Sequence, residues 1–239
     1  MLRCDLPNIE EFQINSFEEW VVHVFDHDDP DWHWETDAKW WDSDKHPEAS
    51  VAYMTQLFEE PEALLERFTL DQIGAGINFV VSSGLSEFAF DICDQRVPQE
   101  DTIRCIHAMP TLYRKLFARH LPNEAGLGAR GDDKCGYICF MFWDVFPMSW
   151  RTTNWLSRNP VGDSRDPQVQ AENACVDAMI DTLQIDHLAC QEAALHGLGH
   201  WHNHDPQRVK RAIDAYLRTI DRKHPLYDCA KRARRGSVQ

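Results

Sequence analysis

The chain contains no Cys-x-x-Cys pair, no apolar run long enough to cross a bilayer, and no glycine loop set between a strand and a helix. Each absence removes a class. Eight cysteines stand singly, most of them among Ile, Ala, Met or Phe. That pattern reads as reduced core thiols and argues against a zinc ribbon or a disulfide frame. Cys135 and Cys139 can share a helical face, but no second pair accompanies them. The longest apolar stretch, residues 137–146, is broken by Asp144 and is too short for a membrane span. The opening MLRCDLPNIEEF lacks the basic start and apolar core of a secretory signal, so the expected location is the cytoplasm. The nucleophile signature Gly-x-Ser-x-Gly and phosphate-cradling glycine loops are missing too. The glycines at 126, 128 and 131 follow no strand, and Asp132 and Asp133 after them would repel phosphate.

Positive charge is scarce over most of the length. From Pro206 onward ten Lys or Arg face three Asp, a balance of +7, so the first 205 residues carry −22 within a net of −15. A surface that acidic repels nucleic acid and favours a basic partner. The terminal KRARRGSVQ is basic but lacks aromatics to stack on bases, and reads as a solvated tail or an internal counterweight.

What is present is helical periodicity. Ser16 with Glu19, and Thr69 with Gln72, form capping boxes ahead of apolar-periodic segments. Pro47 opens a helix striped by Tyr53, Met54, Leu57 and Phe58. Pro98 begins a long helix to His120 that Pro110 kinks or splits. CGYICFMFWDVF reads as a helix apolar nearly all round, at the centre of a core. A Pro- and Gly-containing stretch near residues 158–167 is the candidate boundary, and three helices of similar length follow it. Asp205 is placed to cap the last of them, with Pro206 at its first position. No strand shows clean alternation bounded by turns. The fold class is all-α: an irregular helical part over 1–160, helix pairs over 167–224, and a basic tail over 225–239, expected to form one continuous unit.

Residues 190–218, CQEAALHGLGHWHNHDPQRVKRAIDAYLR, resemble a HEAT-type helical repeat. The resemblance is carried by Ala193, Ala194, Leu195, Leu198, Gly199, Asp205, Pro206, Ala212, Ile213 and Leu217, and extends more loosely over about 168–221. It implies antiparallel helix pairs packed as a superhelix or at right angles, and a leaning toward protein binding. The rest of the chain shows no regular period.

Two segments carry candidate function. In ALHGLGHWHNHD, His196 and His200 are four residues apart and share one helical face, while His202 and His204 lie close behind. One reading is a divalent metal site built from His196, His200, His202 and His204. Gly197 stands where an HExxH peptidase helix requires its glutamate base. The preferred reading is therefore a helix end. There the glycines and alanines admit a neighbouring helix, the histidines face the last carbonyls, and His200 pairs with a carboxylate of another helix.

The second segment is acidic and tryptophan-rich, with nine carboxylates against two lysines between Asp26 and Glu48. Asp28, Asp29, Asp31 and Glu35, with Trp32, Trp34, Trp40 and Trp41, suit a surface in which rings supply contact area and carboxylates steer a basic protein. The His27–Asp28 doublet resembles that of metal-dependent phosphohydrolases, but His23 is too near to serve as their first histidine. Asp26, Asp28 and Asp29 resemble the start of a calcium loop whose glycine and terminal glutamate are missing. The leading expectation is a non-catalytic, cofactor-free protein of inhibitor or immunity type that recognises a basic partner. The alternatives are a metal-dependent hydrolase built on His196, His200 and carboxylates, or a scaffolding subunit.

Overall fold

A computed structural model of the chain describes residues 14, 16–27, 46–130, 133–147 and 165–238. Every regular element among them is helical, so the fold is all-α. The helices are α1 (Phe17–Phe25), α2 (Pro47–Glu59), α3 (Glu62–Leu65), α4 (Leu70–Val81), α5 (Phe88–Asp91), α6 (Gln99–Leu112), α7 (Lys134–Val145), α8 (Pro167–Leu183), α9 (Leu188–His200), α10 (Pro206–Leu217) and α11 (Tyr227–Ala233). No helix among the described residues is long and apolar enough to cross a membrane.

Local chemistry sets most of the boundaries. Ser16 and Asp205 accept from the amides of Glu19 and Arg208 at the starts of α1 and α10, and Thr69 and Gln72 close a reciprocal box at α4. The 3₁₀ turn Trp201–Asn203 leads from α9 into Asp205 and Pro206, so α9 and α10 fold back on each other, joined by Tyr216 Oη and Gln191 Oε1 at 2.9 Å. Pro110 does not split its helix. Lacking an N–H, it leaves a gap in the bonding ladder, and α6 runs on through a π turn at Tyr113–Phe117 and one more α turn at Ala118–His120. The Tyr113 hydroxyl, fully buried, then donates to Cys139 O at 2.8 Å and ties this helix to α7.

α7 lies between α4 and α9, and all three run in the same direction. Gly74 faces the backbone of Cys135, and Ser83 donates through both its amide and its hydroxyl to Val145 O at 3.2 Å. On the other flank Phe140, Trp143 and Asp144 meet His196, Gly197 and His200 in that order. α8 runs antiparallel to α9, with Met179 against Gly197 and Glu172 against His204. One cluster of buried side chains extends from Ile14 to Ala233 and includes Trp20, Trp143 and Trp201.

The basic tail differs from a solvated end. Residues 227–233 form α11, with Ala230 and Ala233 buried, and Val238 packs against Gly199. Arg234 pairs with Asp214 of α10, so part of this charge is an internal counterweight. Five cysteines, Cys105, Cys135, Cys139, Cys175 and Cys190, are buried free thiols, and burial pushes those of Cys105 and Cys135 up to about 12.

Candidate metal centre

The C-terminal ends of α7 and α9 lie side by side and carry three converging side chains. Asp144 sits in the last turn of α7, while His196 and His200 occupy successive turns of α9. His200 Nε2 is 3.1 Å from His196 Nε2 and 3.4 Å from Asp144 Oδ1. Among the described residues, these three form the group of His, Cys, Asp or Glu whose ligand atoms all fall within 4.8 Å of one another.

The helices make this position electronegative. A helix C-terminus carries roughly half a negative charge, which favours cations and disfavours a carboxylate in its last turn. Here two such ends and the Asp144 carboxylate point at one place, and the last turn of α7 holds no basic residue. Ser83 pins that turn through Val145 O, so Asp144 is held at the junction. His196 does not supply the balancing charge as an imidazolium. Its burial, followed by the adjacent His200, pushes its pKa down to about 4 despite the pull of Asp144. A neutral ring offers a lone pair, which is the state a metal ligand needs.

Exposure is graded across the group. His196 is 5% exposed and lies against the Phe140 ring at a centroid distance of 4.3 Å, whereas the His200 and Asp144 side chains are 27% and 34% exposed. Water reaches the cluster from the His200 and Asp144 side.

The four histidines read together from the sequence are thus separated in space. His196 and His200 meet. His204 turns to α8, where its Nδ1 lies 3.4 Å from Glu172 Oε2 and Gln168 Nε2 donates to Glu172 Oε1 at 2.8 Å. His202 lies against Gly236, and its buried Nε2 has no hydrogen-bond partner among the described residues. The tightening from α to 3₁₀ at Trp201 turns His204 away from the ridge of His196 and His200, whereas His202, two residues past His200, faces the far side in either geometry. The carboxylate that the helix-end reading gave to His200 is Asp144, which stood out in the sequence only as the acid interrupting an apolar run. The acidic aromatic candidates Asp28, Asp29, Asp31, Trp32, Trp34, Glu35, Trp40 and Trp41 lie outside the described residues.

Burial of His196 predicts an acid-sensitive metal-free fold. Its folded pKa, about 4, lies below the ordinary value of 6.5, so the unfolded chain takes up the proton first. Stability is therefore full above pH 6.5 and is lost as pH falls through 6.5 to 4, by roughly 3 kcal/mol at most. His204, also lowered by burial, adds in the same direction. Urea unfolding of chelator-treated protein at pH 7 and pH 4.5 would measure this slope. His196→Gln should flatten it, and an unchanged slope would show that His196 is not the group responsible.

Comparison with known proteins returns no match: no family model, no curated protein and no solved structure matches the chain.

Proposed function

We propose that the protein is a divalent-metal-dependent hydrolase whose ion is held by Asp144, His196 and His200. The observation that carries the reading is the spacing of the three side chains. Donors each about 2.0–2.2 Å from one ion stand about 3.0–3.5 Å apart at tetrahedral or octahedral angles. The separations at His200, 3.1 Å and 3.4 Å, fall in that interval. Two ring nitrogens and one carboxylate suit zinc, iron or manganese, and three protein ligands are the number typical of catalytic sites that keep a position for water or substrate. Bound there, such an ion would lower the pKa of a coordinated water toward neutrality and so supply a nucleophile.

The chain's own groups complete the arrangement. Asp144 and the two helix ends offset the ionic charge, His196 is already neutral, and the more exposed His200 and Asp144 face the direction from which a substrate arrives. The first test is metal content by plasma mass spectrometry on tag-free protein purified without chelator, beside the His196→Ala/His200→Ala double variant. Near-stoichiometric metal that the variant loses supports the centre, and equal metal in both samples removes it. Hydrolysis of ester, amide and phosphoester probes by metal-loaded but not chelator-stripped protein then tests the reaction class.

The charge of −22 over residues 1–205 supports a second reading, recognition of a basic protein by the 26–48 segment. Salt titration of any complex tests it, since a partner bound equally well at high ionic strength is not held by charge.

A further inference from the structure

The loop joining α6 to α7 is fastened along α9 by three contacts. His187 Nε2 lies 3.1 Å from Leu121 O, the Leu188 amide donates to Asn123 Oδ1 at 2.7 Å, and the Gly126 amide donates to Glu192 Oε2 at 2.6 Å. Gly126 takes the left-handed φ of +83° that lets the chain turn there, and Leu127 of the following 3₁₀ turn is buried. Glu192 is one helical turn before His196 and on the same face of α9. The loop is thus anchored on the ridge that ends in the histidines.

Its next residues reach the metal centre through a single ring. Gly128 presses on Phe140 so closely that a Cβ on it would stand 2.5 Å from Phe140 Cβ and 2.6 Å from Cγ. Phe140 in turn lies on the His196 ring, centroids 4.3 Å apart and planes tilted by 35°. The sequence from loop to ligand is continuous: Glu192 holds Gly126, Gly128 backs Phe140, and Phe140 backs His196. His200 and Asp144, by contrast, keep 27% and 34% of their side chains exposed.

Building on the metal reading, we propose that the 121–130 loop acts through Phe140 as a clamp that sets the orientation of His196, so that metal affinity and coordination geometry depend on residues that touch no metal. Phe140 is a positioning residue in this scheme. The clamped His196 is the fixed half of the site. His200 and Asp144 form the more exposed half, and the ion's free positions open on their side. Outer groups that orient a ligating histidine commonly change metal affinity by about 10–100-fold when removed.

The experiment is titration of chelator-stripped protein with cobalt(II), whose visible ligand-field bands report coordination geometry, with thermal melting run in parallel. Phe140→Ala is expected to weaken cobalt binding by about 10–100-fold and to shift the bands. Phe140→Tyr, which keeps the ring, should bind as the wild type does. Glu192→Gln, which weakens the latch on Gly126, should move affinity and bands in the same direction as Phe140→Ala, by less. Phe140→Leu fills the volume without the ring, and serves if the alanine variant does not fold. Unchanged affinity and bands in Phe140→Leu or Phe140→Ala, in protein whose wild type binds cobalt through His196 and His200, overturn the clamp alone. A wild type that binds no cobalt beyond what His196→Ala/His200→Ala binds overturns the metal reading, and the clamp with it.

Discussion

Asp144→Asn is expected to weaken divalent-metal binding by on the order of 100-fold or more, because loss of outer-shell partners alone costs about 10–100-fold. The same change should leave the melting temperature of the metal-free protein nearly unmoved. Asparagine keeps the size and one acceptor oxygen of the carboxylate, but loses the charge that a cation requires at two adjoining helix ends. The Asp144 contact with His200, Nε2 to Oδ1 at 3.4 Å, is about one-third exposed on both sides. Ion pairs of that kind contribute less than about 1 kcal/mol. Calorimetric zinc titration beside melting of the stripped protein would measure both effects, and unaltered affinity would remove Asp144 from the centre.

Gly197→Val should destabilise the fold by about 3 kcal/mol, at the upper end of what overpacking a core position costs. A Cβ at Gly197 would stand 2.7 Å from Trp143 Cβ and 2.8 Å from its Cγ on α7, and 2.7 Å from Met179 Sδ on α8. Methionine can yield, but Trp143 is fully buried and its Cβ moves only with the backbone. The helices must therefore part. For a chain of this size that corresponds to a melting midpoint lower by roughly 6–12 °C. Because α7 and α9 also carry the proposed ligands, metal affinity should fall with it even though Gly197 is not one of them. A melting midpoint equal to the wild type would contradict close packing of α7 on α9 at this position. Gly199 has a different neighbour, the Val238 side chain of the C-terminal segment, so the two glycines between the histidines admit different partners.

These two positions show how much of the site was legible. The i, i+4 spacing of His196 and His200 made a shared face readable, because helical periodicity is local. The small residues around them announced close packing for the same reason. Asp144 was visible as a carboxylate in an apolar run, yet nothing local distinguished a ligand from a solvent-facing break. Its partners lie 52 and 56 residues further on. The HExxH motif keeps two histidines and a base on one helix, whereas here the carboxylate beside the histidines, a proposed ligand, comes from a second helix running in the same direction. Nearness in the chain groups His202 and His204 with the other two. The 3₁₀ turn at Trp201 changes the angle per residue and sends His204 elsewhere, while His202 stands about half a turn from His200 in either helix. Proline removes a bond from an α-helix, so Pro110 implies a kink or a split. A π turn lets the helix continue beyond it.

By itself, then, the sequence determined the helical class, the caps at Ser16, Thr69 and Asp205, the burial of five cysteines and the pairing of two histidines on one face. Each depends on the few residues on either side, through period, cap chemistry or side-chain polarity. Only the tertiary structure decided which carboxylate joins them, which histidines leave the group, and which ring backs His196. Those outcomes depend on the direction and depth at which α7, α8 and α9 pack, and the packing is set by contacts among Gly197, Trp143, Met179 and the 121–130 loop, residues distant in the chain that meet only once the core has closed.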